Sequence, residues 1–448
     1  MEVLRADEAE DAQRRAAGAL VAAGLVPGDR VLFSLPSSAG LLCAVLGAVR
    51  IGVVPVLLNA TLLPAERHEL IADARPELVI ADARALAALD TGSPMDLAPY
   101  PLARPMHYTS GTTGRSKGVW SGVWDATTAE AAFNDEADLW AFGRDDVHLV
   151  CSPMYHSVSI RFAGGTLLRG GTCVVLSRFD ADVARRALLG LSGPVPTTTF
   201  MAPSALGRLL DTEGGRLRFD SLRLLVHAGS PCPPFLKREV MARVGPGVVW
   251  EFYGSTEGQF TACSPQEWEA RPGTVGRARP GRSLSVDDDG TIWCRPPEFA
   301  RFTYWGDDAK TASGWRDGSF TVGDLGRLDG DGYLFLDGRR DDLIITGGVN
   351  VYPAELEAVL SEVEGVTEVA VFGMADDQWG QRVCAAIVPA TPMSPASSRE
   401  LIEAVGARAS DRLAGYKRPK RYVVLDTLPR TATGKVQRNL IPSLLDQD

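Results

Sequence analysis

Hydrophobic positions in the first part of the chain follow two alternating periods. Apolar residues recur at helical spacing over residues 14–23 and 41–50, and short apolar runs occupy residues 29–35 and 53–57. Helices that alternate with short β-rich runs are typical of βαβ units, because each crossover helix covers one face of a parallel sheet. The pattern therefore predicts an α/β fold with a largely parallel sheet, to which residues 78–81 add a further strand.

The pattern changes twice in the later part of the chain. Residues 273–337 contain short apolar runs separated by Gly, Asp and Pro, which predicts a small β-barrel-like subdomain. Beyond Asp341 helices and strands alternate again. The predicted strands there lie near 368–372, 383–388 and 421–425, and the predicted helices at 354–362 and 398–413.

The length of the chain indicates more than one domain, because 448 residues exceed a single ordinary core. We predict a large N-terminal domain, residues 1–340, made of two βαβ-layered subdomains plus the small barrel-like one. A small mobile α/β C-terminal domain, residues 341–448, would follow it.

The composition is that of a soluble, folded protein. Hydrophobic residues make up 45% of the chain and charged residues 23%, and the net charge is −10. Because no concentrated basic stripe occurs, nucleic-acid binding is not expected. The apolar run 41–58 is interrupted by Arg50, Pro55 and several glycines, so it predicts a core helix and a strand, with no membrane span.

The cysteines and the N-terminus indicate a cellular compartment. Seven cysteines, at positions 43, 151, 173, 232, 263, 294 and 384, form no C-x-x-C pair. We expect reduced thiols, with neither zinc nor disulfides. The charge-dense N-terminus lacks a signal-peptide pattern, so the sequence predicts a cytoplasmic protein. The high Ala, Arg and Gly content is typical of a GC-rich bacterial coding sequence.

Two segments more than 300 residues apart place a lysine beside glycines and hydroxyls. The first is Tyr108-Thr-Ser-Gly-Thr-Thr-Gly-Arg-Ser-Lys117-Gly-Val119, whose backbone N–H groups and hydroxyls can approach phosphate oxygens closely. Its spacing differs from G-x-x-x-x-G-K-[ST], so the P-loop NTPase mechanism is not implied. The second is Pro429-Arg-Thr-Ala-Thr-Gly-Lys435-Val-Gln-Arg438. Either segment alone fits a solvated linker or tail, but together they favour an enzyme that activates a substrate with a nucleotide.

A third motif lies between them, Trp250-Glu-Phe-Tyr253-Gly254-Ser255-Thr256-Glu257. It predicts a strand that carries polar groups at its C-terminal end, where open α/β sheets bind ligands. A tyrosine face can stack on a purine, and Glu257 offers the hard oxygen ligand that Mg²⁺ prefers. A strand-to-turn junction with an incidental acid is the competing interpretation.

Two further motifs are Val322-Gly-Asp324-Leu-Gly-Arg327 and the charged stretch that begins at Gly338. A carboxylate after a glycine turn, such as Asp324, can accept hydrogen bonds from both hydroxyls of a ribose, and Arg339 can reach a neighbouring hydroxyl or phosphate. A β-hairpin with solvated charges would give the same pattern.

In this order, the motifs resemble those of the adenylate-forming superfamily, which comprises acyl- and aryl-CoA synthetases, nonribosomal peptide synthetase adenylation domains and luciferases. The resemblance extends from about residue 16 to residue 438 and includes five motifs in the family order. It implies ATP (released as AMP), Mg²⁺ and coenzyme A as ligands. It also implies a carboxylic acid that becomes an acyl-AMP and then a thioester, and a C-terminal domain that rotates between the two steps.

The resemblance implies a role for each motif residue. Thr256 would contact the α-phosphate, Glu257 would hold magnesium, and Lys435 would bridge the substrate carboxylate and the α-phosphate. Asp341 would be the hinge between the domains. The phosphate loop would comprise Thr109, Ser110, Gly111, Thr112, Thr113, Gly114 and Lys117. Adenine would lie against Gly229, Ser230, Pro231, Tyr253 and Gly254, ribose against Asp324 and Arg339, and the pantetheine channel along Gly347 and Gly348.

Three features depart from the usual family pattern. Ser116 stands where proline commonly precedes the lysine, and Val322 stands where Thr or Ser precedes Gly-Asp. The Thr-His pair that often follows the phosphate loop is missing. These departures bear on the efficiency of the ATP half-reaction.

The substrate acid is expected to lack an α-amine. Family members that activate α-amino acids carry an aspartate in the segment after Pro153, but no acid occurs here between Pro153 and Phe179. An unpaired ammonium in a pocket is costly, so an acid without one is favoured. His156 matches the histidine that lines or gates the acyl pocket, which adds it to the catalytic candidates. The other pocket candidates are Ser157, Phe162, Gly165, Phe200, Met201, His227 and Gly229, of which Phe200 and Met201 also fit a plain core.

The sequence thus predicts an ATP-dependent acid:CoA ligase that works through an acyl-AMP. One alternative keeps the fold but transfers the acyl group to a carrier-protein thiol or an amine, or performs only the thioester step on a supplied adenylate. The other is a non-catalytic nucleotide- or acyl-binding protein, which the intact set of Lys117, Glu257, Asp324 and Lys435 disfavours.

Overall fold

The chain forms two compact units. The computed structural model describes residues 1–109, 117–210, 217–339, 342–346, 349–376, 379–431 and 436–445, and of residues 109, 339 and 350 it describes the backbone alone. The large unit comprises Met1–Ser230, Leu236–Leu284 and Cys294–Phe320, and the small unit comprises Pro231–Phe235, Ser285–Trp293 and Thr321–Asp448. A domain boundary between residues 340 and 341 stays a prediction.

The elements are numbered along the chain. Up to residue 320 the strands are β1 Glu2–Arg5, β2 Arg30–Phe33, β3 Val54–Leu57, β4 Leu78–Ile80, β5 Met106–Thr109, β6 Lys117–Trp120, β7 Val147–Val150, β8 Thr172–Val175, β9 Thr198–Phe200, β10 Leu224–His227, β11 Val249–Glu251, β12 Thr261–Ala262, β13 Arg277–Ala278, β14 Ser283–Val286, β15 Ile292–Arg295, β16 Thr303–Tyr304, β17 Trp315–Arg316 and β18 Ser319–Phe320. The helices are α1 Ala6–Ala22, α2 Ala39–Arg50, α3 Pro64–Ala74, α4 Ala83–Leu89, α5 Ala126–Trp140, α6 Ser157–Leu168, α7 Ala181–Leu188, α8 Pro203–Leu210, α9 Pro234–Met241, α10 Pro265–Ala270 and α11 Asp308–Gly314.

The large unit is built on two six-stranded sheets, with strand orders β1-β8-β7-β9-β10-β11 and β16-β6-β5-β3-β2-β4. Neighbouring strands in the first sheet are parallel, apart from the antiparallel edge strand β1. In the second sheet β4, β2, β3 and β5 are parallel, whereas β6 and β16 are antiparallel additions. The prediction of a layered α/β fold with largely parallel sheets is confirmed.

Helix α2 lies in the core of the large unit. Ten of its residues are buried, from Leu41 to Arg50. Seven of them, Leu41 to Leu46 and Ala48, share one hydrophobic cluster with Val31 and Phe33 of β2, Val150 of β7 and Ile160 of α6. A helix that is apolar around its circumference is buried on all sides, which explains why this segment resembles a membrane span in sequence. Among the described residues, no helix combines the length and apolar character that a bilayer crossing requires.

The small barrel-like subdomain predicted for residues 273–337 is not confirmed. The short strand β16 joins the second six-stranded sheet, because Tyr304 pairs with Val119 of β6. Strand β12 pairs with β13, and β18 pairs with β15 and β17. In the part of the chain that the structure describes, these strands belong to separate sheets and do not close on each other.

The elements after residue 320 belong to the small unit. They are β19 Asp324–Leu328, β20 Leu334–Arg339, β21 Ile344–Thr346, β22 Val349–Val351, α12 Pro353–Leu360, β23 Val366–Asp376, β24 Gly380–Pro389, α13 Pro395–Arg412, β25 Arg421–Val424 and α14 Ile441–Leu445. Strands β19 and β20 form an antiparallel pair, and the other five strands form one sheet.

The five-stranded sheet of the small unit is covered on both faces. Val371 and Val383 pack with helices α12 and α13, through residues such as Leu356 and Val405. Their sequence neighbours Phe372 and Cys384 pack on the opposite face with Leu428 and Ile441. Because successive side chains of a strand point to opposite faces, burial on both faces requires the nearly continuous apolar runs seen in the sequence.

Candidate functional site

The first sheet of the large unit brings two predicted ligand segments to the same edge. Strands β10 and β11 are parallel neighbours, with His227 opposite Glu251. Gly229 lies two residues after the end of β10 and has a φ of +93°, a backbone conformation that glycine adopts without strain. Tyr253 follows β11 in the same way. The carboxyl ends of two parallel strands therefore carry the candidate adenine residues Gly229 and Tyr253, as the Trp250–Glu257 motif predicts for its own strand.

Residues 253–261 fold back on themselves as a tight loop. The Ser255 amide donates to the Gly258 carbonyl at 2.8 Å, and the Phe260 amide donates to the Tyr253 carbonyl at 2.9 Å. A Cβ at position 258 would lie 2.5 Å from the Phe320 ring, so only glycine fits there without displacing a buried aromatic. The Tyr253 ring is 8% exposed and packs on Phe260 at 4.7 Å. Backbone hydrogen bonds and the packing of the Tyr253 and Phe260 rings thus hold the loop in place.

Glu257 is held by Tyr304, a residue that the sequence analysis did not single out. Its Oε1 accepts a hydrogen bond from the Tyr304 hydroxyl at 3.0 Å, and both residues are buried. Burial and the Glu257 carboxylate raise the pKa of Tyr304, so the hydroxyl remains a donor at all ordinary pH values. Since Tyr304 pairs with Val119 in β16 and β6, the hydrogen bond ties the loop of the first sheet to the second sheet.

Lys117 begins β6 and forms an ion pair with Asp307, three residues after Tyr304. Asp307 also caps helix α11, accepting the Lys310 amide at 2.8 Å. The hydrogen bonds from Lys117 and from the Lys310 amide lower the pKa of Asp307, so it stays ionised. Lys117 and Glu257 are therefore both attached to the segment 303–307, through Asp307 and Tyr304 respectively.

The donor set around Glu257 fits one magnesium ion bound in the way that nucleotide enzymes bind it. Mg²⁺ is usually held by one or two carboxylates, with phosphates and waters supplying the remaining oxygens. Tyr304 occupies Oε1, but a carboxylate oxygen has a second lone pair, and Oε2 is a further acceptor. No group of three or more His, Cys, Asp or Glu side chains among the described residues forms a metal cage. Glu257 would supply the carboxylate, and nucleotide phosphates and waters would supply the other oxygens.

Helix α6 carries the predicted acyl-pocket segment. His156 is at its N-cap position, makes no side-chain capping hydrogen bond and packs on the Tyr155 ring at 4.5 Å. Phe162 is completely buried and contacts the rings of Trp140, Phe142 and Phe200. A Cβ at Gly165 would lie 2.4 Å from the Phe142 ring.

The remaining pocket candidates are buried to different degrees. Met201 is fully buried among Leu206, Leu209 and other core residues, which favours a packing role. Phe200 is 7% exposed and His227 is fully buried. The acyl-pocket assignment of these side chains stays a prediction.

His227 belongs to a buried charged cluster that the sequence analysis missed. Lys237 of α9 donates to Glu251 of β11 at 2.6 Å, and the Lys237 ammonium lies 4.8 Å from the centre of the Trp268 ring. His227 Nε2 lies 3.9 Å from the same carboxylate. The only sequence signal was a lysine and a glutamate inside otherwise apolar elements, where charged residues are rare unless they are paired.

Three buried histidines make the stability of the large unit sensitive to acid. Burial lowers the pKa of His107 and His227 to about 4 and that of His148 to about 3. The unfolded chain binds these protons near pH 6.5, whereas the folded chain does not. We therefore expect full stability above about pH 6.5 and a progressive loss as the pH falls towards 4, with each histidine contributing a slope of up to ~1.4 kcal/mol per pH unit.

Denaturant midpoints measured between pH 4.5 and 7.5 test this expectation. The variant His227→Met should reduce the slope by one histidine's share, while His68→Gln, at an exposed position, should leave it unchanged. An identical slope in the wild type and in His227→Met would contradict the assignment.

The other candidates lie in the small unit or outside the described residues. Asp324 begins β19, is 8% exposed and pairs with Arg339 in register across β20. Gly323 before it has a φ of +80°, which confirms the predicted glycine turn. Pro231 belongs to the small unit. The side chains of Thr109 and Arg339, and Ser110, Gly111, Thr112, Thr113, Gly114, Asp341, Gly347, Gly348 and Lys435, lie outside the described residues.

The paired parallel sheets, the lysine-bearing strand and the Tyr-Gly-Ser-Thr-Glu loop define the class of adenylate-forming enzymes. The chain belongs to the AMP-binding enzyme family, whose model matches residues 6–98 and 105–298. The model of the AMP-binding enzyme C-terminal domain matches residues 355–435. These matches confirm the resemblance seen in the sequence.

Relatives of the chain include acid–thiol ligases. It is 31% identical to an indoleacetate–CoA ligase of Aromatoleum aromaticum, over 96% of this chain and 91% of the relative. It is 33% identical to the fatty acid–[acyl-carrier-protein] ligase ScoC of Streptomyces coeruleorubidus, over 95% and 88%. Among solved structures, o-succinylbenzoate CoA synthetase from Bacillus subtilis with its acyl-adenylate superposes with a TM-score of 0.82 at 28% identity, covering 97% of this chain and 92% of that one.

Proposed function

We propose that this protein is an ATP-dependent acid:CoA ligase that forms an acyl-AMP and then an acyl-CoA thioester. The observation that carries the proposal is that Glu257, in the loop after β11, and Lys117, at the start of β6, are both attached to the segment 303–307. A buried carboxylate and a cation that are both attached to one short segment suit a nucleotide triphosphate with its metal. The CoA ligases among its relatives support the same activity.

In the first half-reaction an oxygen of the substrate carboxylate attacks the α-phosphorus of ATP, and pyrophosphate leaves. Lys117 would leave Asp307 to bind the phosphates, and Thr256 would hold the α-phosphate. Lys435 would bridge the two anions and offset the repulsion between them. Glu257 would hold Mg²⁺, which when bound neutralises charge on the phosphate oxygens. Adenine would lie against residues 229–231, Tyr253 and Gly254, and ribose would bind Asp324 and Arg339.

In the second half-reaction the thiol of CoA attacks the acyl carbon, the bond to the phosphate oxygen breaks and AMP leaves. A rotation about Asp341 of the domain made of residues 341–448 would remove Lys435 and bring Gly347 and Gly348 towards the pantetheine. Such a rotation needs only a few residues to change their backbone angles.

The proposed substrate is a carboxylic acid that lacks an α-amine. Residues 153–179, which include helix α6, contain no Asp or Glu that could pair with an ammonium. His156 and Ser157 stand at the start of this helix, where they would contact the acid. The aromatic packing around Phe162 and Phe200 favours an acid with a largely apolar body.

A carrier-protein thiol is the second candidate acceptor. The relative ScoC is named as a ligase that uses an acyl-carrier protein. Both acceptors present the same pantetheine thiol, so the chemistry at the acyl carbon would be identical.

Acid-dependent exchange of pyrophosphate into ATP, measured over a panel of aryl, alkyl and dicarboxylic acids, tests the first half-reaction. We expect exchange with at least one acid, its loss in Lys435→Ala, and thioester formation when CoA is added. Thioester formation from a supplied acyl-adenylate without any exchange would identify an enzyme of the second step alone. Ligand binding with neither activity would overturn the ligase assignment.

A further inference from the structure

The residues on both sides of Lys435 are tied to each other. Arg430 and Val436 form an antiparallel bridge, and the Gln437 amide donates to the Pro429 carbonyl at 2.8 Å. Residues 429–430 and 436–437, which flank the segment of Lys435 and are here called its base, are therefore bonded to each other through their backbones. Whatever holds this base sets the point from which the lysine side chain reaches.

Arg438, three residues after Lys435, holds that base. Its Nη2 donates to both carboxylate oxygens of Glu357 at 2.8 Å, and its Nε donates to Oε1 at 3.0 Å. Its Nη1 donates to Asp342 at 3.0 Å. A planar guanidinium that is bound along two edges cannot rotate without breaking several bonds, so the pairing fixes orientation as well as distance.

The two acceptors of Arg438 belong to different parts of the small unit. Glu357 lies on helix α12 and also accepts the Val371 amide of β23 at 2.8 Å, so it is fixed to the core of the small unit. Asp342 directly follows Asp341, the proposed hinge. One guanidinium thus connects the base of the lysine segment, the core of the small unit and the residue beside the hinge.

The pairing is partly shielded from solvent. The side chains of Arg438, Glu357 and Asp342 are 22%, 16% and 29% exposed. Burial raises the pKa of Glu357, and the charge of Arg438 opposes that rise. Removing the guanidinium would leave the half-buried Glu357 carboxylate without its opposite charge. It would also break the contact between Glu357 and the base of the lysine segment.

We propose that Arg438 is a positioning residue for the adenylation step, which sets the reach of Lys435 by fixing its segment to Glu357 and to the residue beside the hinge. The inference rests on the proposed role of Lys435. A lysine side chain is flexible, and a displacement of about 1 Å at a reacting centre costs on the order of 100-fold in rate. Thioester formation takes place with Lys435 withdrawn, so it does not depend on that reach.

The test compares the two half-reactions in the full-length enzyme. Arg438→Gln removes the charge and the two-edged hydrogen bonding of the guanidinium, and Arg438→Lys keeps only the charge. As a control, Arg408→Gln on helix α13 removes a similarly exposed ion pair with Glu362. We expect Arg438→Gln to lower the kcat of pyrophosphate exchange by about 10- to 100-fold with little change in the KM for ATP. Thioester formation from supplied acyl-adenylate should change by less than about 3-fold, Arg438→Lys should recover part of the exchange, and Arg408→Gln should match the wild type in both assays.

An equal loss of both half-reactions, or unchanged exchange in Arg438→Gln, would overturn the inference. Lys435→Ala in the same assays separates this failure from failure of the proposed function. If Lys435→Ala abolishes exchange while Arg438→Gln does not, only the positioning role fails; if Lys435→Ala exchanges normally, the proposed adenylation site is wrong. Should Arg438→Gln unfold at the assay temperature, Glu357→Gln breaks the same contact from the other side and should show the same selective loss.

Discussion

Replacing Glu257 by glutamine is expected to slow acyl-adenylate formation by about 10²- to 10³-fold, the loss typical of removing one electrostatic contact from a transition state. Glutamine keeps the carbonyl oxygen that accepts the Tyr304 hydroxyl at 3.0 Å, so the loop should retain its shape. It removes the negative charge that would hold Mg²⁺. Pyrophosphate exchange measured at increasing Mg²⁺ should show both a lower maximum and a higher Mg²⁺ requirement.

Tyr304→Phe is the matched control for this variant. It removes the hydrogen bond beneath Glu257 but leaves the carboxylate and its charge. We expect a loss of about 10-fold or less, in line with a single neutral donor to a charged acceptor, worth ~1.5 kcal/mol. Exchange by Glu257→Gln within about 3-fold of the wild type at saturating Mg²⁺ would contradict the metal-binding role and move it to another residue.

The fold was largely predictable because its hydrophobic periods are local. The helix predicted at 41–50 is α2, Ala39–Arg50, and the strand predicted at 53–57 is β3, Val54–Leu57. The predicted ends are wrong where a helix or strand extends beyond its buried, apolar part. Helix α1 begins at Ala6, whereas the predicted helix begins at residue 14. The prediction starts too late because the first turns of the helix are acidic and partly exposed and show no apolar period.

Strand β23 shows the opposite kind of error. It runs from Val366 to Asp376, beyond the predicted 368–372, because its partner β24 extends the ladder past the apolar core. Backbone pairing in a hairpin continues as long as two chains run side by side, whether or not the side chains are apolar. A hydrophobic pattern therefore marks the buried centre of such a strand and misses its ends.

The candidate site was predictable where a motif is contiguous in sequence. Lys117, Tyr253 and Glu257 each stand in a short segment whose composition indicates its chemistry. Tyr304 and Asp307 were missed, since they are 47 and 190 residues from the partners Glu257 and Lys117. In sequence, Tyr304-Trp-Gly-Asp307 looks like an ordinary surface hairpin. Only the pairing of β16 with β6 shows that this segment lies next to the strand that begins with Lys117.

The buried Lys237–Glu251 pair should be a sensitive charged contact of the large unit. The side chain of Lys237 is 1% exposed and that of Glu251 is 10% exposed, with their charged atoms 2.6 Å apart. Lys237→Met leaves a carboxylate in the core with no opposite charge in contact. We expect the free energy of unfolding to fall by about 3–5 kcal/mol, because an uncompensated buried charge cannot recover its lost hydration. Urea unfolding followed by tryptophan fluorescence, to which Trp268 beside Lys237 contributes, would measure the change.

A double variant separates the pair's own contribution from the cost of breaking it. Lys237→Met combined with Glu251→Leu removes both charges, and such apolar replacements of a buried pair are often neutral or stabilising. We therefore expect the double variant to recover most of the loss. Arg243→Met, which breaks the more exposed pair with Glu239, should cost less than about 1 kcal/mol. If Lys237→Met lowers the free energy of unfolding no more than Arg243→Met does, the Glu251 carboxylate reaches solvent and the cluster is not shielded within the core.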